Sequence, residues 1–251
     1  MLGVIVEGFD LHGKPSASAC DALRDMLAQH HLVFFPDANV SFEEHRRLLR
    51  VFGHVYDECQ DGSYYSLVQN RISSHSDEGE ELDFHCDYSF LAYPVRVVSL
   101  YGVDVPKVCA STRFANGIRA CQELSPTLKA RLEGRMVLHA DRLPPVTSGQ
   151  VSASHVEDKE YSNTLHPAIL THPVTGDEVL FFNRYLCVRV EGLSRAQSDA
   201  LLSEVFAHLY APDNVYEHCW RPGDLIIFDN IALSHKRDKG GSRVLRRMLV
   251  R

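Results

Sequence analysis

The stretch Asp83-Phe84-His85-Cys86-Asp87-Tyr88-Ser89-Phe90 places an imidazole and a carboxylate two residues apart in an apolar segment. Side chains alternate across a β-strand, so His85 and Asp87 would point the same way and could bind one metal ion. Cys86 would point away. Two imidazoles and one carboxylate on one face of an Fe(II) ion leave three coordination positions open for other reactants. The stretch therefore predicts two of the three ligands of such a centre.

The His-x-Asp pattern alone is weak evidence, because the chain has 14 histidines. The pattern and one near variant occur at four places: His75/Asp77, His85/Asp87, His139/Asp141 and His155/Glu157. The surroundings separate them. The pair His75/Asp77 lies in a polar run without apolar residues that could form a dry pocket. The pair His139/Asp141 ends an apolar run, but no residue downstream completes a cosubstrate site at a fitting distance. Only His85/Asp87 lies between Phe84 and the mainly hydrophobic run 88–91, which could exclude water from a reactive metal.

Length, composition and charge limit the possible functions. The 251 residues, 45% of them hydrophobic, suffice for the core of one domain spanning residues 1–251. The formal net charge is -7, and the basic residues are scattered, so a nucleic-acid partner is not expected. We find no signal peptide and no membrane span. Seven widely spaced cysteines without a CxxC pair predict reduced thiols and a cytoplasmic location.

Local patterns predict a mostly β domain with added helices. Ser16 or Ser18 could cap a helix through Leu27, and the capping box Ser41/Glu44 opens another that Gly53 would end. Short β-prone segments dominate from residue 95 onward: 97–103, 179–182, 187–190, 225–228 and 244–250. Ser125-Pro126 and Ser194 signal two further helices, and residues 142–164 suit a mobile loop over a site. A sandwich or small barrel follows, whereas a Rossmann sheet is disfavoured because no GxGxxG is present.

Three further segments follow the His85/Asp87 stretch in an order that resembles one known family. The chain resembles the taurine/2,4-D dioxygenase-like (TauD/TfdA) family of Fe(II)/2-oxoglutarate oxygenases, and the similarity covers nearly its whole length. Besides residues 83–90, the resemblance rests on residues 171–183, on Pro222-Gly223-Asp224 with Phe228-Asp229-Asn230 and Ser234-His235, and on Arg246-Arg247-Met248-Leu249-Val250-Arg251. Four motifs in order are far more specific than one His-x-Asp pair.

The resemblance implies a fold and a site. The fold is a double-stranded β-helix, the jelly-roll or cupin-like core, with flanking helices. His85, Asp87 and His235 would hold Fe(II). Thr112 would donate a hydrogen bond to 2-oxoglutarate, and Arg247 would grip the distal carboxylate of that cosubstrate through paired charge-assisted hydrogen bonds.

Alternation along the last strand separates its arginines. Arg246 and Arg247 face opposite ways, so only one of them can reach the pocket. Arg251 shares the inward parity of Arg247, and we expect it to meet an anionic group on the substrate. Phe84 and Tyr88 are the expected walls of the substrate pocket.

The expected reaction is the oxidation of a small organic substrate with 2-oxoglutarate and O₂, releasing succinate and CO₂. Hydroxylation is the default outcome, and desaturation is an open alternative. Two other classes also remain open, a metal-dependent jelly-roll enzyme of non-oxidative chemistry and a non-catalytic binding protein. Residues 109–112 replace the Gly-Gly-Asp-Thr run of many members, and residues 58–65 offer no sulfonate site, so taurine is not favoured. Whether the chain forms a homo-oligomer stays open.

Overall fold

The computed structural model describes residues 2–69, 81–141 and 162–251. The strands are β1 (Val4–Ile5), β2 (Leu32–Phe35), β3 (Val55–Tyr56), β4 (Ser66–Gln69), β5 (Leu82–His85), β6 (Val97–Asp104), β7 (Thr112–Asn116), β8 (Met136–Ala140), β9 (Asn163–Pro167), β10 (Ile169–Thr171), β11 (Glu178–Leu180), β12 (Cys187–Val190), β13 (Val215–His218), β14 (Leu225–Asp229), β15 (Leu233–Arg237) and β16 (Val244–Val250). The helices are α1 (Ala17–His30), α2 (Phe42–Leu49), α3 (Gly117–Gln122), α4 (Pro126–Leu132), α5 (Arg195–Leu209) and a 3₁₀ turn at Pro212–Asn214.

The larger sheet has the strand order β1-β2-β14-β6-β16-β3, and β4 also pairs with β16. Its central strand β14 reads Leu-Ile-Ile-Phe-Asp and is buried at every position. A continuous apolar run of this kind is typical of a strand that is covered on both faces. Ile226 and Phe228 point into the core between the sheets, whereas Leu225 and Ile227 pack under the helical layer.

A four-stranded sheet, called the smaller sheet below, has the order β13-β7-β15-β5 and packs against the larger one. Strands β12-β8-β9 and β10-β11 form two further sheets. The two sheets meet through aromatic side chains: the ring centroids of Phe114 on β7 and Phe228 on β14 lie 5.0 Å apart. Leu233 on β15 and Leu245 on β16 belong to the same buried cluster. This arrangement is the predicted jelly roll. The candidate site lies where β5 and β15 pair in the smaller sheet.

Helices α1 and α2 cover the outside of the larger sheet, whereas α3, α4 and α5 pack against strands β8, β11 and β12. Ser16 caps α1, and Ser41 with Glu44 forms the predicted capping box of α2. Leu23, Leu27 and Leu49 bury the apolar faces of these helices against the larger sheet. None of the helices in the described part of the chain is long and apolar enough to cross a membrane.

Most of the predicted elements are present, with three differences. Helix α2 ends at Leu49, not at Gly53, because its last turn gives way to a series of turns over residues 50–52. Helix α3 has no strong signal in the sequence and is capped by Asn116, whose side chain accepts from the backbone of Ile118 and Arg119. The predicted loop 142–164 lies outside the described residues up to 161, and its last two residues belong to β9.

Candidate functional site

The three predicted metal ligands meet at one end of the smaller sheet. His85 is the last residue of β5, Asp87 follows two residues later, and His235 lies on β15, directly opposite His85 in the antiparallel pair. Metal-binding atoms of the three side chains all lie within 4.8 Å of one another. Within residues 2–69, 81–141 and 162–251, no other group of three such side chains has this geometry. The structure therefore brings together what the sequence predicted to be together.

Burial sets the charges of these ligands. Burial lowers the pKa of His85, and it lowers that of His235 well below the ordinary value, so both imidazoles are neutral and can offer a lone pair. Burial would raise the pKa of Asp87, but Arg247, His235 and His85 outweigh it and lower that pKa. Two neutral imidazoles and one carboxylate are the ligand set that non-haem Fe(II) prefers.

Hydrogen bonds orient His85 and Asp87 for a shared ion. Nδ1 of His85 lies 2.9 Å from the carbonyl oxygen of Asp83 and donates to it, which leaves Nε2 free, 3.6 Å from Oδ1 of Asp87. Nδ1 of His235 is buried and has no hydrogen-bond partner among the described residues. The donor set thus fits a divalent transition metal.

Asn230 fixes the backbone beside the ligands and was not singled out as a functional residue from the sequence. Its side chain accepts from the backbone N–H of Asp87 and donates to the carbonyl oxygens of Asp87 and Val95, each at 2.8 Å. Tyr88, which follows Asp87 in the chain, has a left-handed backbone (φ 59°), which is uncommon for an aromatic residue. The Asn230 hydrogen bonds hold this turn, which aims the Asp87 carboxylate.

His139/Asp141, the other His-x-Asp pair within the described residues, does not join the site. His139 is fully buried, stacks on Phe181 at 5.2 Å and lies 3.4 Å from the sulfur of Cys187. Burial and the neighbouring His166 lower the pKa of His139 to about 3, so it is a neutral core residue. The pairs His75/Asp77 and His155/Glu157 lie outside the described residues.

Thr112 begins β7 and points into the space between the sheets. It is buried, and its hydroxyl oxygen accepts from the indole N–H of Trp220 at 2.9 Å. The hydroxyl hydrogen remains available, so Thr112 can still donate to a cosubstrate as predicted. Trp220, the hydrogen-bond partner of Thr112, also contacts a second polar residue, Arg243.

Arg243 is the functional candidate that the sequence analysis missed. Its guanidinium carbon lies 5.4 Å from the centroid of the Trp220 ring, and only 3% of the residue is exposed. Nε and Nη1 have no hydrogen-bond partner among the described residues, and Nη2 makes one long contact of 3.4 Å with the carbonyl oxygen of Ser111. Burial lowers the pKa of Arg243 to about 10, so it is still a cation at neutral pH. A buried, largely unpaired cation needs an anion.

Arg247 points inward and Arg246 outward, as alternation predicts. Arg246 donates to the carbonyl oxygens of Val40 and Ser41 and lies over the ring of Tyr101, outside the larger sheet. The guanidinium of Arg247 already has three anchors. They are Oδ2 of Asp87 at 3.1 Å, the hydroxyl of Ser66 at 3.2 Å and the carboxylate of Glu58.

The predicted substrate residues divide between two places. Tyr88 lies beside the metal ligands, and its hydroxyl donates to Glu58 at 2.5 Å. Phe84 lies on the other face of β5, stacked on Tyr210 at 4.1 Å, and is not brought together with the ligands. Arg251 is exposed, with its guanidinium 3.8 Å from the ring centroid of Tyr56. It lines a cavity of about 600 Å³.

Comparison with known proteins gives a consistent result. Residues 3–250 match the family described as Taurine catabolism dioxygenase TauD, TfdA family. The chain is 27% identical to pentalenolactone F synthase of Streptomyces arenae, with 99% of this chain and 91% of that protein covered. It is also 27% identical to the (S)-phenoxypropionate/alpha-ketoglutarate-dioxygenase of Sphingobium herbicidovorans, with 93% and 85% covered.

The solved structures agree in fold. The structure of AAD-2 in complex with Mn(II) and N-oxalylglycine superposes with a TM-score of 0.85 at 21% identity. The alignment covers 99% of this chain and 94% of that one. A likeness at this identity shows the fold, and the fold is the predicted jelly roll.

Proposed function

In a chain that belongs to the TauD, TfdA family, we propose that His85, Asp87 and His235 hold the iron of an Fe(II)- and 2-oxoglutarate-dependent dioxygenase. The chain is a dioxygenase of this type and acts on a small organic substrate. When bound, the iron would allow O₂ to oxidise a C–H bond of the substrate while 2-oxoglutarate is converted to succinate and CO₂.

One observation carries the assignment of the ligands. His235 and His85 are cross-strand neighbours, and the carboxylate of Asp87 closes the third corner of the same small space. The three side chains are buried, so water is largely excluded from the face that they form. Neutral imidazoles and an ionised carboxylate need no change of protonation before they bind a divalent ion.

For the distal carboxylate of 2-oxoglutarate, we propose Thr112 together with Arg243. Both point into the space between the sheets, and Trp220 contacts both. Nε and Nη1 of Arg243 have no hydrogen-bond partner among the described residues, so this cation can donate charge-assisted hydrogen bonds to a carboxylate. Arg247, which the sequence pattern favours for this role, remains the rival candidate. Its guanidinium would first have to leave Asp87, Glu58 and Ser66.

For the substrate, we propose a small molecule with an anionic group that reaches Arg251. The exposed guanidinium of Arg251 and the cavity that it lines support this role. A relative is named for (S)-phenoxypropionate, which is a carboxylate. We propose that Tyr88, which lies beside the metal ligands, contacts the part of the substrate that reacts. We also propose that residues 1–251 form one domain and that the protein acts in the cytoplasm.

The proposal is tested by measuring O₂ uptake and succinate release over a panel of small carboxylates, amino acids and sulfonates, with iron and 2-oxoglutarate supplied or withheld. We expect both signals to require iron and 2-oxoglutarate together. Turnover that needs the metal but not 2-oxoglutarate would instead indicate a jelly-roll enzyme of non-oxidative chemistry. Failure to bind iron stoichiometrically would indicate a non-catalytic protein.

A further inference from the structure

One guanidinium connects an iron ligand to a second carboxylate that has no role in the proposed site. Arg247 donates from Nη1 to Oδ2 of Asp87 at 3.1 Å and from Nη2 to Oε1 of Glu58. Tyr88 donates to the same oxygen of Glu58 at 2.5 Å, and Nε of Arg247 donates to the hydroxyl of Ser66 at 3.2 Å. The side chains of Arg247 and Glu58 are only 20% and 17% exposed, so solvent screens this network weakly.

The two oxygens of Asp87 have different surroundings. Oδ1 faces Nε2 of His85 at 3.6 Å, on the side where the metal ligands converge, whereas Oδ2 accepts from Arg247. A carboxylate that binds a metal through one oxygen is oriented by what holds the other, and such outer partners are part of a metal site. The planar guanidinium can hold two carboxylates at once because its N–H groups point in fixed directions.

Glu58 balances the charge of Arg247. An arginine alone beside Asp87 would compete with a metal ion for the negative charge of that carboxylate. With Glu58 on its other side, Arg247 lies between two carboxylates, and the set of three carries a net negative charge that a divalent ion can use. Tyr88 and Ser66 fix the ends of the network, so the arrangement is more ordered than an isolated surface ion pair.

We infer that Glu58 is a positioning residue, which acts through Arg247 to fix the outer oxygen of Asp87 and so aims the inner oxygen at the metal. The inference rests on the proposed function, because it takes Asp87 to be a ligand. It also assigns different tasks to the two inward arginines. Arg243, with unpartnered N–H groups, is available for an incoming anion, and Arg247 is already engaged.

The test measures Mn(II) affinity, read from the electron paramagnetic resonance signal of the free ion, in the parent and in single and double variants. We expect Glu58→Ala to weaken Mn(II) binding by about 10-fold, the lower end of what loss of an outer partner costs. Glu58→Gln should weaken it less, because the amide oxygen still accepts from Arg247. In an Arg247→Ala background, Glu58→Ala should cause no further loss, since the path through Arg247 is already broken. Melting curves confirm that each variant is folded.

The matched control is Glu217→Gln, which removes a carboxylate paired with Arg113 at 3.3 Å on the half-exposed outer face of β7. It should leave Mn(II) affinity unchanged. Equal losses from Glu58→Ala with and without Arg247 would overturn the inference, and so would parent-like affinity in the folded Glu58→Ala protein. His85→Ala separates the two levels of the proposal. If His85→Ala leaves Mn(II) binding intact, the proposed metal site is wrong. If His85→Ala abolishes Mn(II) binding but Glu58→Ala does not weaken it, only the role of Glu58 is rejected.

Discussion

His235 lies directly opposite His85 in the antiparallel pair of β15 and β5, with the two ring centroids 4.1 Å apart. The residues are 150 positions apart in the chain, so the register of one strand pair creates the metal site. A slip by one residue would turn His235 to the other face of the sheet. Buried Leu233, two residues earlier on the same face, opposes such a slip because it belongs to the core between the sheets.

The first prediction concerns the cosubstrate. Replacing Arg243 with Ala should raise the dissociation constant for 2-oxoglutarate by about 30-fold or more, because loss of a buried charged partner costs about 2 to 5 kcal/mol. Metal affinity should change little, since Arg243 contacts none of the three ligands. Isothermal titration of the Mn(II)-loaded protein with 2-oxoglutarate under anaerobic conditions gives the affinity for the cosubstrate, and titration of the metal-free protein with Mn(II) gives the metal affinity.

Arg246 and Arg247 provide the comparisons for that experiment. Arg246→Ala removes an outward arginine and should leave 2-oxoglutarate binding at the parent level while lowering stability, because its hydrogen bonds to Val40 and Ser41 are lost. If Arg247→Ala weakens 2-oxoglutarate binding strongly and Arg243→Ala does not, the sequence-based choice of Arg247 is correct and our assignment of Arg243 fails.

The second prediction concerns acid stability and His139. Burial and His166 depress the pKa of His139 to about 3, below the ordinary value of 6.5. Above pH 6.5 the side chain is neutral in both the folded and the unfolded chain. Below pH 6.5 only the unfolded chain takes up the proton, so the free energy of unfolding falls by about 1.4 kcal/mol per pH unit down to about pH 3.

Replacing His139 with Leu removes this contribution. Between pH 7 and pH 5, the parent should lose about 2 kcal/mol more of its free energy of unfolding than the variant does. Urea denaturation at the two pH values measures the difference. An identical pH dependence in parent and variant would show that His139 is not the buried neutral group described above.

The third prediction concerns Arg251. Arg251→Ala should raise the Michaelis constant for an anionic substrate by about 2- to 5-fold, the size expected for an exposed ion pair. The effect is small because the guanidinium is exposed. The affinity for 2-oxoglutarate should stay the same. If the Michaelis constant does not move, the substrate anion is bound elsewhere.

Local signals in the sequence predicted much of the fold. Ser41 and Glu44 form the expected capping box, and the last strand runs over residues 244–250 as the β-prone segment indicated. These features depend on neighbours in the chain, so the sequence contains them. The C-terminus of α2 and the short helix α3 depend on how the surrounding chain packs, and they could not be predicted in the same way.

The site shows a similar division. His85 and Asp87 share a local motif, and alternation correctly separated inward Arg247 from outward Arg246. Arg243 shares that inward parity but lies before the strand, and an arginine outside a motif is usually solvated. Its importance comes from Trp220, which lies over 20 residues earlier in the chain, and from N–H groups without partners. Both are properties of the packed protein.

An anaerobic titration with Fe(II) and 2-oxoglutarate, followed by the visible charge-transfer band of the chelate, distinguishes His85, Asp87 and His235 from other residues as the metal ligands. The parent should develop the band, and His85→Ala, Asp87→Ala and His235→Ala should each abolish it. His75→Ala, which alters the competing pair outside the described residues, should keep the band within a few-fold of the parent affinity. A parent-like band in the His85→Ala protein, or loss of the band in His75→Ala, would contradict the site proposed here.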